Sequence, residues 1–359
     1  YIIIMYEPHF SHTNSNIDLT KIKKELEKNQ LKNEKSKYAC EFQHNIIPVY
    51  DLKELIDNSE NNSEDNYNKI SDIIKKDIYD NFFHNTGVII IKNCYDENII
   101  NEYNIWSSDM LEKCKNDKNI KHPKQNGKYL INDVITRMSN NNPELLMKLL
   151  FNPCLNFITD LLLGFSKFGS VTGHIINGKG DRQKSHVDYP GHIGSGLFWE
   201  NNVDKFKNIN THYQVNHILP YYSLQVLISC CNMDIVNGST EVVPCSHLLE
   251  NLDINIHNKT VYDFFEKYFV NVTLEKGDIL IFNRGLCHRG GKNTTDLARN
   301  ALIMQCVWLW GIGQEIIPYE EIKEKLENTE SYKTLSEYEK KNVLQRLKSP
   351  YPINVKNHT

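Results

Sequence analysis

Beyond Gly169 the chain breaks into short apolar or alternating runs: Ser170 to Ile176, Tyr221 to Cys230, Glu241 to Val243, Val270 to Leu274, Ile279 to Phe282 and Ala298 to Trp310. Gly, Asn and Pro separate them, with strong turn signals at Asn177-Gly178 and Asn237-Gly238. Runs this short cannot bury a face alone, so the pattern predicts a strand-rich barrel or sandwich. The earlier part has a different texture. Helical stretches are expected from Ile70 to Phe83, from Asp96 to Lys115, from Asn142-Pro143 onward, and from Pro153 to Leu163 before Gly164, with a buried strand at Val88 to Ile91. After Pro318, Tyr319 to Leu347 reads as helical and highly charged.

At 359 residues the chain can hold one large core with extensions. The expected division is a polar N-terminal extension at 1–69, partly helical or flexible, a central domain at 70–315, and a charged helical extension at 316–359. In the first of these, Leu19 to Leu31 is amphipathic and reads as a solvated helix, because glutamates alternate with its lysines. A formal charge of −4 offers no general attraction to nucleic acid or an anionic membrane, and neither partner is expected. Nine cysteines without a Cys-x-x-Cys pair suggest reduced thiols, and Tyr1 to Met5 is too short for a signal or membrane segment. A cytoplasmic location follows as the expectation, with the oligomeric state open.

Into the strand-rich part falls an ordered set of metal-ligating types. His186-Val187-Asp188 precedes His288, and Arg299 follows that histidine. Alternate side chains of an extended segment share a face, so His186 and Asp188 can address one metal while Val187 turns away. Two histidines and a carboxylate that leave coordination positions open suit a non-haem Fe(II) oxygenase, and a nearby arginine suits an acidic cosubstrate. The charges agree: Fe(II), one carboxylate, a dianionic 2-oxo acid and one arginine sum to neutrality, as a buried site requires.

From about Ile70 to Gly313 the chain resembles the phytanoyl-CoA dioxygenase family of Fe(II)- and 2-oxoglutarate-dependent oxygenases. The resemblance rests on Phe83-His84-Asn85-Thr86-Gly87-Val88-Ile89-Ile90, His186-Val187-Asp188, the block Asn237 to His247, Lys276-Gly277-Asp278-Ile279-Leu280-Ile281-Phe282, His288 and Arg299. It implies a mainly β fold with flanking helices, built on a double-stranded β-helix of the jelly-roll, cupin-like type. It implies His186, Asp188 and His288 as catalytic metal ligands, Arg299 as the clamp on 2-oxoglutarate, and Fe(II), 2-oxoglutarate and O2 as reactants, with ascorbate as a stimulant. A guanidinium fits that carboxylate in bidentate fashion, as an ammonium cannot.

Cys245 stands where the family usually shows glycine before Ser-His, and a positive φ there would strain it. His247 in the same block reads as structural. Asp188, rather than Ala or Gly, favours hydroxylation over halogenation. Gln225 lies on a polar stripe with Ser223 and Ser229 and reads either as a hydrogen-bond partner of the cosubstrate or as a satisfied core glutamine. Tyr189, His192 and Trp199 follow the first ligands and read as substrate-pocket residues or as packing. The expected function is hydroxylation of an unactivated C–H bond of a small organic substrate, with release of succinate and CO2. Two alternatives stay open: the same chemistry on a protein side chain or nucleobase, and a non-catalytic metal-binding barrel.

Overall fold

The computed structural model describes residues 19–32, 36–55, 67, 69–116, 128–164, 166–186, 188, 223–251, 263–308 and 317–348. Its strands are β1 (Glu41–Gln43), β2 (Ile47–Tyr50), β3 (Val88–Ile91), β4 (Lys128–Ile131), β5 (Ser166–Ile176), β6 (Ser223–Ser229), β7 (Thr240–Val242), β8 (Val270–Asn271), β9 (Ile279–Asn283), β10 (His288–Gly290) and β11 (Arg299–Trp308). Eight form one sheet in the order β1-β2-β3-β9-β6-β11-β5-β4, and three form a smaller one in the order β10-β7-β8. Every pairing is antiparallel except β2 with β3.

Side-chain alternation explains how the two sheets and the helices stack. On β3, Ile89 and Ile91 join the core under the helices, while Val88 and Ile90 join a second core shared with Val242, Val272, Leu274 and Leu286 of the small-sheet side. On β9, Ile279 and Ile281 face the helices and Leu280 and Phe282 face the small sheet. These strands read as unbroken apolar runs because both of their faces are covered. On β11, Leu302, Met304 and Cys306 take the helical side. Arg299, Ala301, Ile303 and Gln305 therefore point between the sheets. The result is a jelly roll with helices packed over the outer face of its large sheet.

The helices begin where capping chemistry allows. Pro143–Leu150 and Pro153–Leu163 carry proline in the first turn, and the Asn142 and Asn152 side chains accept from the Leu145 and Leu155 amides at 3.0 and 3.1 Å. The helix read from Ile70 is regular over Asp72–Asp80 and then widens into a π turn, Asn81–Asn85, whose opening carbonyl accepts from the Thr86 amide at 2.9 Å. Among the described residues no single helix is long and apolar enough to cross a membrane.

Both flanking segments join the fold. β2, within the stretch 1–69, pairs with β3 inside the large sheet, and the helix Leu19–Lys32 buries Ile22 and Leu26 against Leu249, Phe265 and Cys287. That helix is amphipathic, as its sequence says, but its apolar face is covered. At the other end Ile322, Leu326, Val343 and Leu347 enter the main core. Arg346, buried, pairs with Asp160 at 2.7 Å and donates to Ser166 at 2.9 Å, tying the last helix to β5.

Candidate metal centre

His186 and His288 meet across an isolated antiparallel bridge in which each amide donates to the other's carbonyl at 2.9 Å. The Gln183 amide donates to the Gly290 carbonyl and the Asp188 amide to the Arg284 carbonyl, at 2.9 and 3.0 Å, so residues 183–186 lie alongside β10 and Asp188 is tied to the turn that leads into it. A side-by-side pair in an antiparallel ladder projects to one face, and the imidazole centroids lie 4.4 Å apart. The ligating atoms of His186, Asp188 and His288 all lie within 4.8 Å of one another.

Local hydrogen bonds orient the rings. Nδ1 of His186 lies 2.9 Å from the Lys184 carbonyl, and Nδ1 of His288 lies 2.9 Å from the Leu286 carbonyl. A carbonyl only accepts, so each Nδ1 carries the proton and the lone pair sits on Nε2. The Nε2 atoms are those facing Asp188, at 3.8 Å to Oδ1 and 3.5 Å to Oδ2. Burial opposes ionisation of Asp188, but His288, His186, Arg284 and the Gln225 amide outweigh it and hold the carboxyl down at about 2. The cluster thus gathers two imidazoles, each able to offer Nε2, and one carboxylate, a donor set that fits a divalent iron and leaves positions open.

Two residues support the carboxylate. Gln225 Nε2 donates to Asp188 Oδ2 at 2.8 Å, so this amide is spent on the aspartate. Arg284, buried, donates to the Asp188 carbonyl and reaches Ser223 Oγ at 3.4 Å. Nothing in the sequence singled out Arg284. The only signal is its place two residues past Phe282, at the end of β9.

Arg289 had no sequence signal either, yet it clamps the strands that carry both histidines. It projects opposite His288, bonds Glu241 of β7 through Nε at 2.5 Å, and stacks its guanidinium 3.9 Å over the Phe269 ring. Arg182, on the segment leading to His186, meets the other Glu241 oxygen at 3.0 Å.

The Asn237–His247 block braces the second histidine from outside. Val243 donates to Cys287 at 2.9 Å, and Ser246 Oγ accepts from the Cys287 amide at 2.8 Å. Cys245 has φ 67°, the left-handed conformation in which glycine is unstrained. His247 is buried, lies 3.2 Å from the Phe83 carbonyl through Nε2, and is not among the clustered ligand atoms. Burial pushes its pKa from 6.5 to about 4, the Phe83 carbonyl only partly opposing. The folded state therefore keeps His247 neutral while the unfolded chain protonates below 6.5. Its contribution to stability is complete above pH 6.5 and falls by about 3 kcal/mol as pH drops to about 4. Urea unfolding across that range should show the slope, and His247→Asn should flatten it.

Arg299 begins β11 on the inner face. It is 4% exposed, and among the described residues its Nε has no hydrogen-bond partner while its Nη1 donates to the Met233 sulfur at 3.8 Å. Burial lowers its pKa to about 10, with Cys231 only partly compensating. Among the described residues no carboxylate answers this cation, which fits an anionic ligand supplied from outside. Tyr189, His192 and Trp199 lie outside the described residues.

A jelly roll that gathers two histidines, one aspartate and a desolvated arginine on its inner side defines the class of non-haem Fe(II)- and 2-oxoglutarate-dependent enzymes. Residues 210–301 match the family described as phytanoyl-CoA dioxygenase (PhyH), so over this stretch the chain is similar to that family. No curated protein matches it. Solved structures similar to it include the epimerase SnoN from nogalamycin biosynthesis in complex with Fe3+, alpha ketoglutarate and nogalamycin RO, at 13% identity and TM-score 0.49, covering 68% of this chain and 88% of that one. The alpha ketoglutarate dependent carbocyclase SnoK is similar at 16% identity and TM-score 0.49, covering 72% and 91%. AviO1 from Streptomyces viridochromogenes Tue57 is similar at 13% identity and TM-score 0.45, covering 62% and 90%.

Proposed function

We propose that this chain hydroxylates an unactivated C–H bond of a small organic substrate, coupled to conversion of 2-oxoglutarate and O2 to succinate and CO2. The observation that carries this reading is Arg299, a desolvated cation with no carboxylate partner among the described residues, on the inner face of the sheet that bears the His-Asp-His support. His186, Asp188 and His288 would hold the iron, and Arg299 would take the far carboxylate of 2-oxoglutarate. When bound, that pair supplies the oxidising chemistry, which no side chain of the protein can provide.

The chain's own groups set geometry and charge. The Lys184 and Leu286 carbonyls keep the Nδ1 protons in place, so both imidazoles offer Nε2. Gln225 and Arg284 hold Asp188 in one orientation and anionic. Asp188, a carboxylate in the third ligand position, favours hydroxyl over halide transfer. The test is anaerobic addition of Fe(II) and 2-oxoglutarate, read by the visible metal-to-ligand charge-transfer band. Wild-type protein should develop the band, and Arg299→Ala should need at least about tenfold more 2-oxoglutarate, the weight of one charge-assisted hydrogen bond. A folded, metal-loaded protein without the band, or a variant that titrates like wild type, refutes the reading.

A further inference from the structure

The inner face carries a second unmatched cation at the end of the barrel away from Arg299. Lys167 of β5 pairs with Val307, and Phe168 with Cys306. Cys306 and Phe168 belong to the helical-side core, so Lys167 and Val307 project the other way, between the sheets. Lys167 is 4% exposed, and among the described residues its ammonium has no hydrogen bond or ion pair. Burial alone lowers its pKa, to about 8.

Next to it on the same face stands Gln305. It is 1% exposed, and neither its amide nitrogen nor its amide oxygen has a partner. Gln305 pairs directly with Gln225, whose own amide oxygen is also unsatisfied while its nitrogen holds Asp188. Between Lys167 and Gln305 the β5–β11 register slips by one residue, and the extra residue is Gly169. A Cβ on Gly169 would come within 2.8 Å of Gln305 Oε1 and 3.1 Å of Val307 Cγ1, so the glycine keeps this patch open. Along β11 the level of the metal cluster, marked by Gln305 and Gln225, thus lies between Arg299 and Lys167.

Burying most of a lysine without a counter-charge, beside a carboxamide with no partner, is costly unless a ligand answers them. Iron, Asp188, 2-oxoglutarate and Arg299 already sum to neutrality, so Lys167 adds a positive charge that this set does not balance. We propose that Lys167 and Gln305 form the substrate subsite, binding an anionic group, carboxylate or phosphate, of the molecule to be oxidised. Lys167 neutralises the charge, and Gln305 donates to one oxygen. The inference rests on the proposed iron and 2-oxoglutarate site, and it narrows the substrate class to organic anions.

The test uses the full chain loaded with Mn(II) and 2-oxoglutarate, titrated with acetate, benzoate and inorganic phosphate, and read by melting temperature and by calorimetry. Acetate and benzoate probe a carboxylate source, phosphate a phosphorylated one. At least one should bind wild type, and Lys167→Met should weaken it at least about tenfold, as loss of a charge-assisted bond implies. Gln305→Met should weaken it less, and neither variant should alter the 2-oxoglutarate titration. Lys167→Met removes a buried charge at nearly constant volume, so its own melting temperature should be unchanged or higher. Silence of wild type to all three anions overturns the subsite, as does equal binding by Lys167→Met, which would place the anion on the metal. If the charge-transfer band forms but the anions fail, this inference falls alone; if the band never forms, the proposed function falls first.

Discussion

Asp188→Ala is expected to abolish 2-oxoglutarate-dependent succinate formation while the protein stays folded. The substitution removes the only anionic ligand of the cluster, and with it the acceptor for Gln225 Nε2 and the negative charge beside Arg284. A metal held by two neutral imidazoles loses several kcal/mol of binding and of transition-state stabilisation, which corresponds to more than about a thousandfold in rate. Asp188→Asn keeps the shape and the backbone contact with Arg284 but not the charge, so it should be almost as inactive. Both effects are read as succinate produced per mole of protein, beside iron content and a melting curve. Wild-type succinate formation by either variant would remove Asp188 from the centre.

Gly87→Ala is expected to destabilise the protein by about 3 kcal/mol or more, seen as a melting temperature lower by at least ~5 °C. Gly87 has φ +74°, and a Cβ there would lie 2.2 Å from Nδ1 and 2.5 Å from Cε1 of His247. The left-handed backbone alone costs an L-residue about 1–2 kcal/mol. The His247 ring cannot step aside, because it is buried and its Nε2 is held by the Phe83 carbonyl. Any shift would pass through Ser246 to the Cys287 amide, beside His288, so weaker metal retention should accompany the lower stability. An unchanged melting curve would show that His247 is less rigidly placed than its contacts imply.

Much of this site was legible from one dimension. The glycine in Asn85-Thr86-Gly87 and the histidine in the Ser-His pair are far apart in the chain, yet they form one contact, and each belonged to a motif that carried the family resemblance. The Lys276-Gly277-Asp278 turn has a local reason that sequence can express. The Asp278 carboxylate accepts from the Glu275 and Asn93 amides at 2.8 and 3.0 Å, and a Cβ on Gly277 would meet the Tyr95 carbonyl at 2.5 Å. The polar stripe of Ser223, Gln225 and Ser229 was visible as alternation. That Gln225 serves Asp188 was not, because a glutamine's partner depends on which strand lies beside it.

Arg284, Arg289, Lys167 and Gln305 show the limit more sharply. Each is one polar residue beside an apolar run, and such residues usually sit at a surface. Here strand pairing turns all four inward or between layers, where desolvation makes their charge or amide matter. Arg289 and His288 are adjacent in sequence and separate in role, since β10 sends one to Glu241 and the other to Asp188. The flanking segments were similarly opaque. Ile47–Tyr50 is only four residues long, and its place within the large sheet follows from parallel pairing to β3, a contact no local pattern announces.

The sequence alone pointed to the class of fold, through the period of its short apolar runs, and to a candidate donor set, through two histidines and an aspartate in order with an arginine after them. Those are local properties: side-chain alternation repeats every two residues, and ligand chemistry belongs to the residue itself. Only the tertiary structure decided which polar groups lose their water. The antiparallel bridge from His186 to His288, the Gln225–Gln305 pairing and the inward turn of Lys167 arise from contacts between distant segments. A charge costs little in water and much inside a barrel, so the meaning of each lysine, arginine and glutamine waited on where the sheets closed.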